Sequence, residues 1–160
     1  MAGVDVSFVA AGLDAAAAQQ QVPVNAGRRD TATARAASNA GLLDGAQLLW
    51  LDARPAHNRA ERRVFRALGM SVTAVTTVEE AVDLAKRTDP DVVITNYGKS
   101  SEGGAATAEQ LAARIGQLVP VIVYSRRTAG KPTPSHCFAQ TERPDDLLHS
   151  VIDALERTRR

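Results

Sequence analysis

Three short apolar runs constrain this chain more than any other feature. They are Leu48-Leu49-Trp50-Leu51, Val92-Val93-Ile94-Thr95 and Pro120-Val121-Ile122-Val123-Tyr124. None alternates with polar residues, and each is too short for a helix, so each predicts a strand buried on both faces. The segments between them have helical periodicity. Asn58 to Leu68 places Val64, Phe65 and Leu68 on one side before Gly69 ends it, and Val78 to Arg87 turns Ala81, Val82, Leu84 and Ala85 inward. Thr107 to Leu118 carries the stripe Leu111, Ile115 and Leu118, and Asp145 to Arg160 carries Leu147, Leu148, Val151, Ile152 and Leu155. The β-branched stretch Ser71 to Thr77 predicts another strand, and His136 to Gln140 a weaker fifth. Strands that alternate with helices imply an α/β fold: a doubly wound five-stranded parallel sheet with helices on both faces.

That pattern occupies residues 47–160. Residues 1–46 read as an N-terminal extension. Val4 to Val9 alternates weakly and predicts a short strand, and the alanine- and glutamine-rich stretch Leu13 to Gln21 predicts a helix. Val22 to Gly27 breaks it. Thr31 to Asn39 predicts a second helix, with Asp30 as its cap and Gly41 as its stop. The extension has too few large apolar residues for a core of its own. Two roles stay open for it: a flexible or docked appendage, or a strand and helix that add to a sheet edge or mediate dimerisation.

The 160 residues suffice for one domain and an appendage. Aromatic residues make up only 4% of the chain, so the core is expected to be aliphatic. The formal net charge of +1 provides no global field toward nucleic acid or a membrane surface. No apolar run approaches the roughly 20 residues that span a bilayer, and there is no basic region followed by a long apolar stretch at the N-terminus. Cys137 is the single cysteine, so no intramolecular disulfide forms. These features predict a cytoplasmic protein without membrane insertion or nucleic-acid binding. The basic end Arg157-Thr158-Arg159-Arg160 reads as a solvated helix terminus or as a small anion contact.

In doubly wound folds function gathers at the C-terminal ends of the strands. Here those ends carry Asp52-Ala53, Thr76-Thr77, Asn96-Tyr97, Ser125 and the segment around Arg143. The order and spacing of Leu48 to Asp52, Asp91 to Asn96, Pro120 to Ser125 and Arg143-Pro144 resemble the response-regulator receiver family over about two thirds of the chain. The resemblance implies a flavodoxin-like fold and a phosphorylation pocket that has lost its chemistry. A working receiver has a pair of acidic residues after its first strand, and here the pair is Asp52-Ala53. The phosphoacceptor aspartate is matched by Asn96. The hydroxyl residue is retained as Ser125, and the lysine before proline is matched by Arg143 before Pro144.

The substitutions bear on chemistry directly. An aspartyl phosphate needs a carboxylate nucleophile, and an amide is neutral and a poor one. Mg²⁺ prefers several oxygen ligands in octahedral geometry, which a single carboxylate, Asp52, supplies poorly. No metal site or cofactor is expected. Arg143 is expected to pair with Asp52 where the metal would sit. The connection Arg126 to Ser135 holds Gly130, Pro132 and Pro134, and it is too short and too rich in proline for the helix a receiver places there. That helix, the fourth of the family, is expected to be missing or reduced to a turn.

Other chemistry finds less support. Ser125, His136 and Asp52 are the residue types of a triad, but Ser125 lacks a nucleophile-elbow setting. His57, His136 and His149 do not show metal-ligand spacing with Cys137. The loop Gly98 to Gly104 lacks the spacing of a phosphate-binding loop. Arg59, Arg62, Arg63 and Arg66 recur at three- and four-residue steps, either as a solvated helix face or as a docking surface for an acidic partner. The sequence therefore predicts no enzyme. It predicts a phosphorylation-independent pseudo-receiver that binds a protein partner in signal transduction, with self-association as a further role. The alternatives are a small-ligand or nucleotide-binding module using Arg143, Ser125 and Asn96, and a regulator phosphorylated on Asp52.

Overall fold

The computed structural model describes residues 4–96, 106–126 and 132–158. Five parallel strands form one sheet in the order β2-β1-β3-β4-β5, with β1 Gln47–Leu51, β2 Ser71–Val75, β3 Val92–Thr95, β4 Val121–Tyr124 and β5 Ala139–Thr141. The apolar runs are β1, β3 and β4, and all their residues except Gln47 are buried. Their side chains divide between two cores. Leu48, Trp50, Ile94, Ile122 and Tyr124 face one side, and Leu49, Leu51, Val93 and Val121 face the other. This is the doubly wound fold that the runs imply.

The second face is covered by α5 Val78–Thr88 and α6 Ala106–Ile115. α5 is well defined at both ends. The Thr77 hydroxyl accepts the backbone N–H of Glu80, Glu79 and Glu80 lie in its first turn, and Lys86 and Arg87 lie in its last. The first face is covered by α4 Arg59–Ala67, entered through a 3-10 turn at Pro55–Asn58, and by α7 Pro144–Thr158. Among the described residues there is no helix between β4 and β5, as the prolines require.

The N-terminal region departs from the sequence expectation. Val4 to Val9 is not a strand: α1 spans Val6–Gln20. The Asp5 carboxylate accepts the Phe8 N–H and caps it, and Val9, Leu13, Ala16 and Ala17 form a buried helical stripe. The weak alternation loses to a cap and a helical face. The second helix starts earlier than expected: α2 is Ala26–Ser38, capped by Asn25 rather than Asp30. Gly41 does not stop it but lies within a short α3, Ala40–Leu43.

The extension is docked. Val9, Leu13, Ala32, Ala36 and Leu43 share a core with Trp50, Phe65 and the apolar side of α7. α1 lies against α4 so closely that a Cβ on Gly12 would stand 2.4 Å from Val64 Cγ2. Polar clamps secure α2. The Arg29 guanidinium pairs with Asp14 at 2.9 Å, and Arg35 donates to Asp153 and Glu156 of α7 and to the His149 carbonyl. Small residues and arginine clamps thus replace the large apolar core that the region lacks.

Candidate functional site

Three of the expected residues meet at the C-terminal end of the sheet. Asp52 follows β1, Asn96 follows β3 and Ser125 follows β4, and they line one cleft of about 220 Å³ with Gln20, His57, Asn58, Tyr124 and Arg126. Ala53 is exposed and brings no second carboxylate.

Asp52 is held tightly. Its Oδ1 accepts the Arg54 N–H at 2.8 Å, and its Oδ2 accepts from the Asn58 amide at 3.1 Å. Asn58 is fixed in turn by Arg62, whose Nε donates to Asn58 Oδ1 while another of its N–H groups reaches the Pro55 carbonyl at 2.7 Å. Burial pushes the Asp52 carboxyl above its ordinary range, and the hydrogen bonds from Arg54 and Asn58, with the charges of His57 and Arg62, act against that. Burial also lowers the Arg62 guanidinium.

Behind this cleft lies a pair that periodicity had not singled out. Glu61 is 2% exposed, and the Tyr124 hydroxyl donates to its Oε2 at 2.8 Å. Its other oxygen, Oε1, has no hydrogen-bond partner. Burial pushes the Glu61 carboxyl up to about 7, opposed chiefly by the Tyr124 hydrogen bond. Burial and the neighbouring Glu61 raise the Tyr124 phenol above its ordinary range. The Tyr124 ring meets Trp50 edge-on at 5.9 Å, so the pair is seated in the main core. The signal for Glu61 was available, because it lies one turn before Val64 and Phe65 on the inward face of α4.

Arg143 does not join the cleft, and the expected pair with Asp52 is not formed. Arg143 donates to both oxygens of Asp145, at 3.2 and 3.3 Å, and faces Leu13, Ala17 and Pro23 of the N-terminal region. The competing partner is local. β5 runs from Ala139 to Thr141 rather than starting at His136, and Arg143 lies just before the first turn of α7, where Asp145, two residues on, captures it. The arginine at the cleft is Arg126, one residue after Ser125. Its guanidinium holds the Gln19 carbonyl at 2.7 Å and the Gln21 side chain at 3.3 Å. Gln20 donates to the Glu142 carbonyl, so the end of α1 is tied to the loops after β4 and β5. Sequence spacing carries no signal for this contact, which exists only because the extension docks.

The remaining candidates are dispersed. His136 lies in a cavity at the opposite end of the sheet, before β4, so Ser125, His136 and Asp52 do not assemble. Burial pushes the Cys137 thiol up to about 11, away from thiolate chemistry. Among the described residues no group of three or more His, Cys, Asp and Glu is placed to hold a metal ion, and no helix is long and apolar enough to cross a membrane. The Gly98 to Gly104 loop, Tyr97, Arg159 and Arg160 lie outside the described residues. The four arginines of α4 separate. Arg62 turns to Asn58 and Pro55, Arg66 donates to the Val72 carbonyl on edge strand β2, and Arg59 and Arg63 face outward.

No family model matches the sequence, and no curated protein is similar to it. Solved structures do match. The chain is similar to a response regulator receiver domain protein from Clostridium thermocellum, with 17% identity and a TM-score of 0.56 over 71% of this chain and 97% of that one. It is similar to the anti-anti-sigma factor PhyR from Bartonella quintana, with 16% identity and a TM-score of 0.52 over 82% of this chain and 56% of that one. A cobalamin-binding protein from Desulfitobacterium hafniense shows 12% identity and a TM-score of 0.57 over 94% of this chain and 93% of that one. The last likeness leaves too few residues out to omit the N-terminal helices. At these identities the comparisons speak for architecture, and the chain has the flavodoxin-like fold of response-regulator receiver domains.

Proposed function

We propose that this chain is a phosphorylation-independent receiver-fold module that acts in signal transduction by binding a protein partner. The carrying observation is Asn96. The position that ends the central strand of the sheet, β3, holds a neutral amide where a receiver needs a carboxylate nucleophile. Two features support the same reading. Ala53 removes the second metal-binding carboxylate, and both oxygens of Asp52 already accept hydrogen bonds from the chain's own loop. Asp52 is thereby also a poor candidate for the acceptor. The 220 Å³ cleft is below the roughly 300 Å³ at which small-molecule pockets begin, which ranks the ligand-binding alternative second.

The test is the intact mass of the protein after incubation with Mg²⁺ and acetyl phosphate. The expected result is no gain in mass for the wild type. The double variant Asn96→Asp with Ala53→Asp is expected to restore a phosphorylatable site. A stable phosphoryl group on the wild-type chain would overturn the proposal and make Asp52 the first residue to replace.

A further inference from the structure

Resting on that reading, we infer that the partner surface is a composite of α1 and α4, and that it takes an amphipathic helix whose apolar side is flanked by carboxylates. The argument begins with the orientation of the two helices. Gln20, at the end of α1, lines the same cleft as Asn58, which precedes α4, while Gly12 in the middle of α1 abuts Val64. α1 and α4 therefore run antiparallel along a close seam.

The outward residues along this seam follow from the helical repeat. On α1 they are Phe8, Ala11, Ala15 and Ala18, all exposed, and the large one, Phe8, is 41% exposed. None carries a charge. On α4 they are Arg59, Arg63 and Ala67, at steps of four residues and exposed. Antiparallel packing about the Gly12–Val64 contact sets Phe8 level with Ala67 at one end, Arg63 near the middle of the seam, and Arg59 toward the C-terminal half of α1.

Charge decides what this surface fits. No carboxylate pairs with Arg59 or Arg63 among the described residues. Arg62 and Arg66 turn to carbonyls of the chain itself, at Pro55 and Val72, so Arg59 and Arg63 are the α4 arginines left beside the uncharged strip. A helix laid on the seam would set its apolar side on Phe8, Ala11, Ala15 and Ala67, with its acidic flank meeting Arg59 and Arg63. Small residues on α1 let a partner backbone approach closely, and Phe8 offers the single large anchor.

The test uses the full chain and a fluorescein-labelled synthetic helix with leucines along one side and glutamates on both flanks, followed by anisotropy. A control helix carries lysines in place of the glutamates. The glutamate helix is expected to bind, the lysine helix to bind at least about tenfold more weakly, and added salt to weaken the former. The double variant Arg59→Glu with Arg63→Glu is expected to reverse the preference, and Phe8→Ser to weaken both. Equal binding of the two helices, or no binding, overturns the assignment. So does binding to anionic phosphatidylserine vesicles, or self-association abolished by Phe8→Ser, in place of peptide binding. If the peptide fails while the chain still gains no phosphoryl group, only this surface is wrong and the proposed function stands.

Discussion

The sheet and the N-terminal helices reach the same core by different means. The sheet does it with large aliphatic side chains: every residue of β3 and β4 is buried, and Ile94, Ile122 and Trp50 are among the largest fully enclosed side chains. The helices do it mostly with small ones, Ala16, Ala17, Ala32 and Ala36, plus Val9, Leu13 and Leu43. They add arginine clamps at partly exposed sites. Hydrophobic stabilisation scales with buried apolar area, so the sheet should carry most of the stability and the helices should be the looser layer.

The largest test of that contrast is Trp50→Ala. Trp50 is 1% exposed and packs against Phe65 and Tyr124, joining the sheet to the face that the helices cover. Its loss is expected to cost about 3–5 kcal/mol in urea unfolding. A cost under about 1 kcal/mol would mean that the two regions do not share a cooperative core.

The next effect is a gain. Glu61 is buried with one oxygen unpartnered, and its carboxyl is raised from 4.5 to about 7. A raised carboxyl binds its proton more tightly in the folded chain than in the unfolded one. The contribution of Glu61 to stability is therefore fully present below about pH 4.5, falls as pH rises toward 7, and is flat above, with about 3 kcal/mol lost in all. Glu61→Gln removes the charge and keeps an acceptor for the Tyr124 hydroxyl. It is expected to raise the midpoint of urea unfolding at pH 8 and to leave it unchanged or slightly lowered at pH 4.5, where the amide N–H₂ gains nothing in exchange. An equal change at both pH values would show that the fold does not raise the proton affinity of Glu61 above that of the unfolded chain. The groups facing this pair are Tyr124, Arg62 and Asp52, with Asp145 acting on Tyr124, so Asp52→Asn serves as the control for coupling.

Smaller still is the effect of crowding the seam. Gly12 allows α1 to approach α4, and a side chain there meets Val64. Gly12→Val is expected to cost about 1–3 kcal/mol, with hydrogen-exchange protection lost first in α1 and retained in β3. Loss spread evenly over both regions would erase the distinction between a looser layer and a tight sheet.

How much of this was legible in the sequence follows the same division. Continuous apolar runs announced β1, β3 and β4, because a strand buried on both faces leaves no other pattern. The prolines announced the missing helix before β5. β5 itself has only three residues, two of them half-buried, so no apolar run marked its start. Arg143 is taken by Asp145, two residues on, a local pair that matching strand ends does not weigh. In the extension, Val4 to Val9 mimicked a strand because alternation over so few residues does not outweigh a capping aspartate. Asp52, Asn96 and Ser125 could be placed from strand ends alone. Gln20 and Arg126 could not, since each joins segments more than a hundred residues apart: Gln20 holds the Glu142 carbonyl, and Arg126 holds Gln19 and Gln21.

The smallest effect separates arginines that look alike in sequence. Arg62 supports the Asp52 loop through Asn58 and the Pro55 carbonyl, so Arg62→Ala removes two hydrogen bonds from a part-buried site. It is expected to cost about 1–2 kcal/mol and to loosen the loop that holds Asp52. Arg63, one position on, is exposed and supports nothing described, so Arg63→Ala should stay within about 0.5 kcal/mol of wild type. Thermal melting of the two variants side by side reads the difference. If both are silent, Asn58 and Asp52 are held by their own turn, and the cleft is rigid without α4. If both are costly, Arg63 is engaged in the fold and cannot be the free charge that meets a partner.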